Sequence, residues 1–385
     1  MEASGSDKTG PLSGFSIIEM AGLGPVPLAG LMLAEMGARV VRIERLAKDQ
    51  AFLKVPAAFD LDRHGREIVK VDLKHAEGRD LVLRMIEKAD AIVEGFRPGT
   101  MERLGLGPDV AMARNPGIVY GRMTGFGQDG PLASTAGHDL TYLALSGVLH
   151  AIGPKDGKPV PPLNLVADYG GGTMFLIMGL LAALLERSRS GRGQIVDAAM
   201  IDGASMLASP FFGFMTAGLW RDARGSNLLD SGCPFYDTYA CADGGHVAVA
   251  CLEPQFFAEF CKLLPLDSRF LALQYDLSAW SDMRREIAAR IALRPRDEWA
   301  AHFEQTDACV APVLSLQEAP AHPHNRARAT HVTTSGMTRP APAPRFSRTQ
   351  SQVANLASTD IRTTLVALGI DNDEIDRLAS EGVVG

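Results

Sequence analysis

Phe15-Ser-Ile-Ile-Glu-Met20, Ala21-Gly-Leu-Gly-Pro-Val-Pro-Leu-Ala-Gly30 and Ala38-Arg-Val-Val-Arg-Ile43 stand close together near the start of the chain. The outer two are short runs dominated by apolar and β-branched residues, and they read as strands. The middle one is a glycine-rich turn, from which Leu31 to Met36 continues as a helix that Gly37 ends. Strand, turn, helix and strand in that order make a βαβ unit, whose two strands are parallel. The glycines invite comparison with a dinucleotide-binding fingerprint, but the match fails in detail. Gly22 and Gly24 fit, Pro27 stands where a third glycine should let helix and strand approach, and Arg45 after Glu44 puts a cation where a phosphate would lie.

The alternation continues outward from this unit. Lys70-Val-Asp-Leu-Lys74 ends another strand, and Ala91–Glu94, Ile118–Met123 and Gln194–Asp197 supply more, with helical spacing over Gly78–Lys88 and Met101–Leu106. Such a sequence predicts an α/β fold built on a doubly wound parallel sheet. Ligands of these sheets bind beyond the carboxyl ends of the strands, where Arg45, Arg97 and the Gly125–Gly130 loop would gather. The composition changes near Arg221. Cys233 to Val249 reads as an antiparallel meander turning at Asp243-Gly-Gly245, followed by helices over Gln255–Leu264, Asp282–Leu293 and Arg296–Phe303 and a strand over Cys309–Leu314. A chain of 385 residues exceeds one ordinary core. The expected division is a large domain over 1–198, a helical linker over 199–232, a small α+β domain over 233–330, and a linker with C-terminal helices over 331–385 that returns to the large domain.

Composition bounds the function classes. With 46% hydrophobic and 22% charged residues the chain is that of a soluble globular protein. A net charge of −7 gives no reason to expect nucleic acid or an anionic membrane as partner. The five cysteines lack C-x-x-C spacing and fit free thiols in a reducing cytoplasm better than disulfides or a zinc site. His322-x-His324 with His331 has proline neighbours and no nearby carboxylate, which reads as a surface loop rather than a metal site. Met1 to Gly10 reads as a disordered leader rather than a signal peptide. The longest apolar run, Thr173 to Leu185, falls short of the ~20 residues that a membrane span needs.

The chemistry concentrates between Gly137 and Gly172. Gly137-His138-Asp139 opens the stretch, and Asn164-Leu-Val-Ala-Asp168-Tyr-Gly170-Gly-Gly172 closes it ahead of a long apolar helix. A base stands at each end. Small residues opening a helix leave N–H groups free to hold a ligand oxygen, with the helix dipole behind them. A histidine and a carboxyl group at such a turn can move a proton beside a carbonyl. Alone, D-x-G-G-G is more often a buried helix start with a capping aspartate.

Gly137-His-Asp-Leu-Thr-Tyr-Leu-Ala-Leu-Ser-Gly147, Pro161-Pro-Leu-Asn-Leu-Val-Ala-Asp-Tyr-Gly-Gly-Gly172 and Leu252-Glu-Pro-Gln-Phe256 together resemble the motifs of the alpha-methylacyl-CoA racemases, within the family III CoA-transferase superfamily. The resemblance runs over nearly the whole chain from Pro11 onward. It implies a large Rossmann-like domain, a small domain and an interlocked homodimer with active sites between subunits. It also implies acyl-CoA thioesters of 2-methyl-branched acids as substrates, with no metal or redox cofactor. Position by position, His138 and Asp168 would be the proton-transfer residues, and Glu253 would support His138. Arg45 and Arg103 would meet CoA phosphates; Val71, Asp72, Leu73, Gly137, Asp139, Tyr142 and Gly170 would line the CoA and acyl path. The aspartate at 168 is shared with the transferases, in which it would attack a thioester, whereas the histidine of Gly-His-Asp points to the racemases. One segment departs from the family: Asp62-Arg-His-Gly-Arg-Glu67 stands where a more basic run is usual.

Overall fold

The computed structural model describes residues 9–46 and 55–385; most of the leader, residues 1–8, lies outside the described residues, as do residues 47–54. The chain forms two compact units, one from Met1–Ser146, Leu163–Leu207 and His331–Gly385, the other from Gly147–Pro162 and Ala208–Thr330.

In the larger unit, β1 (Ser16–Met20), β2 (Arg39–Glu44), β3 (Arg66–Lys70), β4 (Ala91–Glu94), β5 (Val119–Thr124) and β6 (Ile195–Ala199) form a sheet in the order β3-β2-β1-β4-β5-β6. Every pairing is parallel. The order reverses between β1 and β4, and at such a switch point the loops beyond the carboxyl ends part to leave a crevice. The central strands are buried and largely apolar, Ile17 and Ile18 among them, with the buried charges Glu19 and Arg42 set between. Helix α1 (Pro25–Glu35) starts earlier than the sequence suggests, with Pro25 at its first position and Gly24 in the left-handed region at φ 70°. The proline ring is already set for a helix, and glycine takes the positive φ without a Cβ clash. The next helices are α2 (Ala76–Glu87), α3 (Thr100–Arg103), α4 (Pro108–Arg114) and α5 (Asp139–Leu145).

The third strand lies before the expected Lys70–Lys74. It carries Arg66, which is almost fully buried, because its guanidinium meets Glu19 of β1 at 3.0 Å and donates to the carbonyls of His64 and Pro27. Arg42 of β2 pairs with the other Glu19 oxygen, and Gly30 of α1 passes so close that a Cβ would strike the carboxylate. The outer edge of β3 is covered by the C-terminal segment: Gly65 N–H donates to Asn355 O, and Ile68 N–H to Ser358 O. Leu365, Ile375, Leu378, Val383 and Val384 then join the main core. The Pro- and His-rich stretch expected to be a plain linker contains a hairpin of His331–Thr334 with Met337–Pro340.

Residues Leu165–Ser190 form one helix, long and apolar enough by length and composition to cross a membrane. It is longer than the apolar run visible in the sequence. Its Leu176 and Leu180 lie against Gly121 of β5, and Gly179 lies against Val196 of β6, so one face is committed to the sheet. That is the position of a sheet-covering helix.

The smaller unit has an antiparallel sheet, β7 (Tyr236–Ala240), β8 (His246–Ala250) and β9 (Val310–Pro312). Its core is aromatic, with Phe235, Phe257, Phe260, Phe270, Trp299 and Phe303. Two boundaries differ from the expected division. Met200–Leu207 stays with the larger unit because Gly203 packs backbone to backbone on Gly171. Gly147–Pro162 joins the smaller unit, held by Arg224 donating to the carbonyls of His150 and Gly157.

Glu19→Gln leaves the buried Arg66 guanidinium without its ion-pair partner and Arg42 with Glu44 alone. Loss of one partner from such a cluster should cost about 3–5 kcal/mol, read as a lower urea midpoint; an unmoved midpoint would mean that the cluster contributes nothing net.

Candidate active site

Asp168 reaches its place through an unusual turn of helix. Leu165–Thr173 is wound as a π-helix, with the N–H of Met174 donating to Tyr169 O, and runs without a break into Met174–Ser190. The glycine run lies within the helix rather than only at its opening. Three successive glycines allow it: Gly171 and Gly172 lie where any side chain would strike the backbone at Gly203–Ala204 or the Met200 side chain. Thr173 Oγ1 ties the same turn to the start of α1 by donating to Pro25 O at 2.8 Å. Single π-turns of this sort recur at functional sites.

The Asp168 carboxylate is half-buried and faces Gly24, whose missing Cβ would lie 3.4 Å from Oδ2. It therefore sits at the β1–α1 turn, beside the point where the strand order reverses. Asn164, one α-helical turn earlier, donates its amide to Asp168 Oδ2 at 3.2 Å. Burial raises the proton affinity of Asp168, the Asn164 hydrogen bond pulls it back, the Asp139 charge adds to the rise, and His138 opposes it.

His138 comes from α5, where it is the N-cap in extended conformation, with its N–H bonded to Thr141 Oγ1 at 3.0 Å. The imidazole is exposed. Asp139, the next residue, is buried, and its Oδ2 accepts the N–H groups of Ala167 and Asp168 at 2.9 and 2.8 Å. The Asp168 N–H is thus occupied and does not serve as the expected oxyanion donor. The N–H groups of Asp139 and Leu140, first in α5, have no intrahelical acceptor and are the donors beside His138 that a carbonyl oxygen can use.

Tyr142 is buried on the same helix, edge-on to Phe126 at 4.9 Å. Its ring fills the space left by Gly125 and Gly137, so Gly137 makes room for an aromatic wall. Burial raises the Tyr142 phenol, Asp168 adds to the rise, and Arg97 opposes it. Gly170 faces Leu207, with its Cβ position 3.3 Å from Cδ1. Arg45 is exposed just beyond β2, and Arg103 is exposed in the segment after β4, where it donates to Thr100 Oγ1. Both follow strands at the carboxyl edge. Val71 is different. Its side chain is in the main core, its N–H donates to Glu44 O, and the Asp72 N–H donates to Val383 O, so it cannot present a side chain to a ligand path as expected. Leu73 packs partly against the same core, and Asp72 caps its own turn through Lys74 N–H.

Glu253 belongs to the smaller unit. It is the exposed N-cap of the helix Pro254–Leu263, and its charge reinforces the upward push that burial gives Tyr275 and Cys309. Four of the cysteines are buried free thiols and Cys309 is exposed. Among the described residues no group of three or more His, Cys, Asp or Glu is arranged to hold a metal ion.

The sequence model of CoA-transferase family III matches residues 12–360. Alpha-methylacyl-CoA racemase of Mus musculus is 41% identical over 379 residues, covering 97% of both chains. Alpha-methylacyl-CoA racemase of Homo sapiens is 40% identical over 336 residues, covering 86% of both. The crystal structure of a CAIB/BAIF family protein from Brucella suis superposes with a TM-score of 0.80 at 23% identity, covering 94% of this chain and 100% of that one, a likeness of fold.

Because burial favours the protonated Asp168, that group stabilises the fold relatively more at low pH, and the advantage is lost as pH rises through its raised value. Asp168→Asn should therefore melt higher than the unmodified protein at about pH 7, the difference shrinking towards about pH 4. A lower melting temperature at neutral pH would contradict the assignment.

Proposed function

The chain belongs to CoA-transferase family III, and we propose that it inverts the carbon beside the thioester of 2-methyl-branched acyl-CoA substrates. One observation carries the choice within the family: the helix start bearing His138 is tied to the turn bearing Asp168, because Asp139, next to His138, accepts the N–H groups of Ala167 and Asp168. The racemases among its relatives support the same reading.

Inversion breaks the α-carbon–hydrogen bond on one face and forms a new one on the other. A single base would return the proton to the face it left. One base takes the proton, the bonding electrons pass into the thioester as an enolate, and the other base delivers its own proton to the opposite face. The two must have similar proton affinities to exchange roles, and the buried carboxyl moves towards the imidazole. The enolate oxygen would be held by the N–H groups of Asp139 and Leu140; such a donor is typically worth about 3 kcal/mol of barrier. Arg45 and Arg103 would bind CoA phosphates, and Tyr142 would wall the acyl path. The scheme calls for no metal or redox cofactor.

Glu253 would orient the His138 imidazole and stabilise its charged form, supplied by the second subunit of an interlocked homodimer. Exposed apolar side chains of the larger unit, Met178 and Leu185 on the Leu165–Ser190 helix and Met206 beyond it, are candidates for burial in such a dimer. The free thiols fit a reducing cytoplasm.

Family membership also favours a second reading, CoA transfer in which Asp168 attacks the thioester carbonyl, expels CoA thiolate and forms a mixed anhydride. Incubation with a 2-methylacyl-CoA in D2O, without any acceptor acid, separates the two. We expect α-deuterium and loss of optical purity, the loss of optical purity slowed about 10²–10⁴-fold in His138→Ala. CoA exchange that needs an acceptor acid, with no α-deuterium, would replace the racemase by the transferase.

A further inference from the structure

We infer that Asp139 is a positioning residue whose buried carboxylate ties the helix start carrying His138 to the π-helical turn carrying Asp168, and so fixes the gap between the two bases. The inference rests on the racemase reading. Asp139 adjoins His138 in sequence, while its Oδ2 holds the N–H groups of Ala167 and Asp168. Any slip of α5 against the π-turn would break both hydrogen bonds. An acyl chain that enters between the bases pushes them apart, and a clamp of this kind resists it.

The residue type is costly for a merely structural link. Asp139 is 5% exposed, and its Oδ1 is buried without a hydrogen-bond partner among the described residues. A neutral acceptor could receive the same N–H groups without a desolvated charge. The charge matters through its neighbour. Asp168 faces Asn164 on its own helix, His138, Asp139 and Tyr142 on α5, and Gly24 on the β1–α1 turn; Asp139 is the negative group among them. It holds Asp168 in place and favours its protonated state, which is what a carboxyl group paired with an imidazole needs.

Asp139→Ala removes the clamp, whereas Asp139→Asn keeps an acceptor oxygen and removes the charge. In Asp139→Ala we expect kcat for α-deuterium exchange to fall about 10²-fold, the cost of roughly 1 Å of misplacement, with KM and CoA affinity by calorimetry unchanged. Asp139→Asn should recover most of that loss, with the acid limb of its kcat/KM profile moved to lower pH because Asp168 no longer feels the charge. Amide exchange in the peptide Leu163–Met174 reads the clamp without substrate, and should accelerate in Asp139→Ala but not in Asp139→Asn. Wild-type kcat in Asp139→Ala, a matching loss of CoA affinity, or unaltered amide exchange would each overturn this inference alone. A wild-type enzyme that exchanges no α-hydrogen would overturn the racemase reading and this role with it.

Discussion

Two backbone N–H groups converging on one oxygen of Asp139 join the halves of the site. His138 and Asp168 sit on separate helices, and that contact bridges them. The π-turn beneath is itself held on two sides. Gly171 meets Gly203 backbone to backbone, and Thr173 bonds to the start of α1. Helix α1 is anchored in turn by Arg66, which reaches from the buried Glu19 to the Pro27 carbonyl. A chain of short contacts thus runs from the charge cluster in the sheet to the carboxyl group of Asp168.

The sheet explains why the site lies here. Parallel strands in the order β3-β2-β1-β4-β5-β6 place every strand's carboxyl end on one edge, and the reversal between β1 and β4 opens that edge beside Gly24. Arg45, Arg97 and Arg103 all follow strands on the same edge. A phosphorylated carrier with a reactive thioester would suit cations at one end and, at the other, an exposed imidazole with a half-buried carboxyl group.

Much of this was legible in the sequence. Short, mostly apolar strands alternating with helices signalled a parallel sheet, and the two ends of the Gly137–Gly172 stretch carried the candidate bases. What escaped did so for physical reasons. Arg66 reads as surface, because nothing in its neighbourhood reveals that Glu19, 47 residues earlier, neutralises it. The glycine run reads as a helix start with free N–H groups, because the backbone that it touches, at Gly203, lies on another helix. Val71 was itself expected to line the ligand path, yet its side chain joins the main core under the C-terminal Val383–Val384 segment. Asp139 was read as part of the path; only its two N–H partners give it a different task. The Asn164–Asp168 spacing of one turn was the available clue to the amide that restrains the carboxyl group.

In the proposed reaction each base serves one face of a single carbon, an assignment that ties each base to one enantiomer. It is tested most directly by following α-deuterium exchange separately from each pure enantiomer of a 2-methylacyl-CoA in His138→Ala and Asp168→Asn. Each variant should lose exchange from one enantiomer and keep it from the other, with the retained enantiomer opposite in the two variants. Loss of exchange from the same enantiomer in both, with the other retained in both, would contradict it.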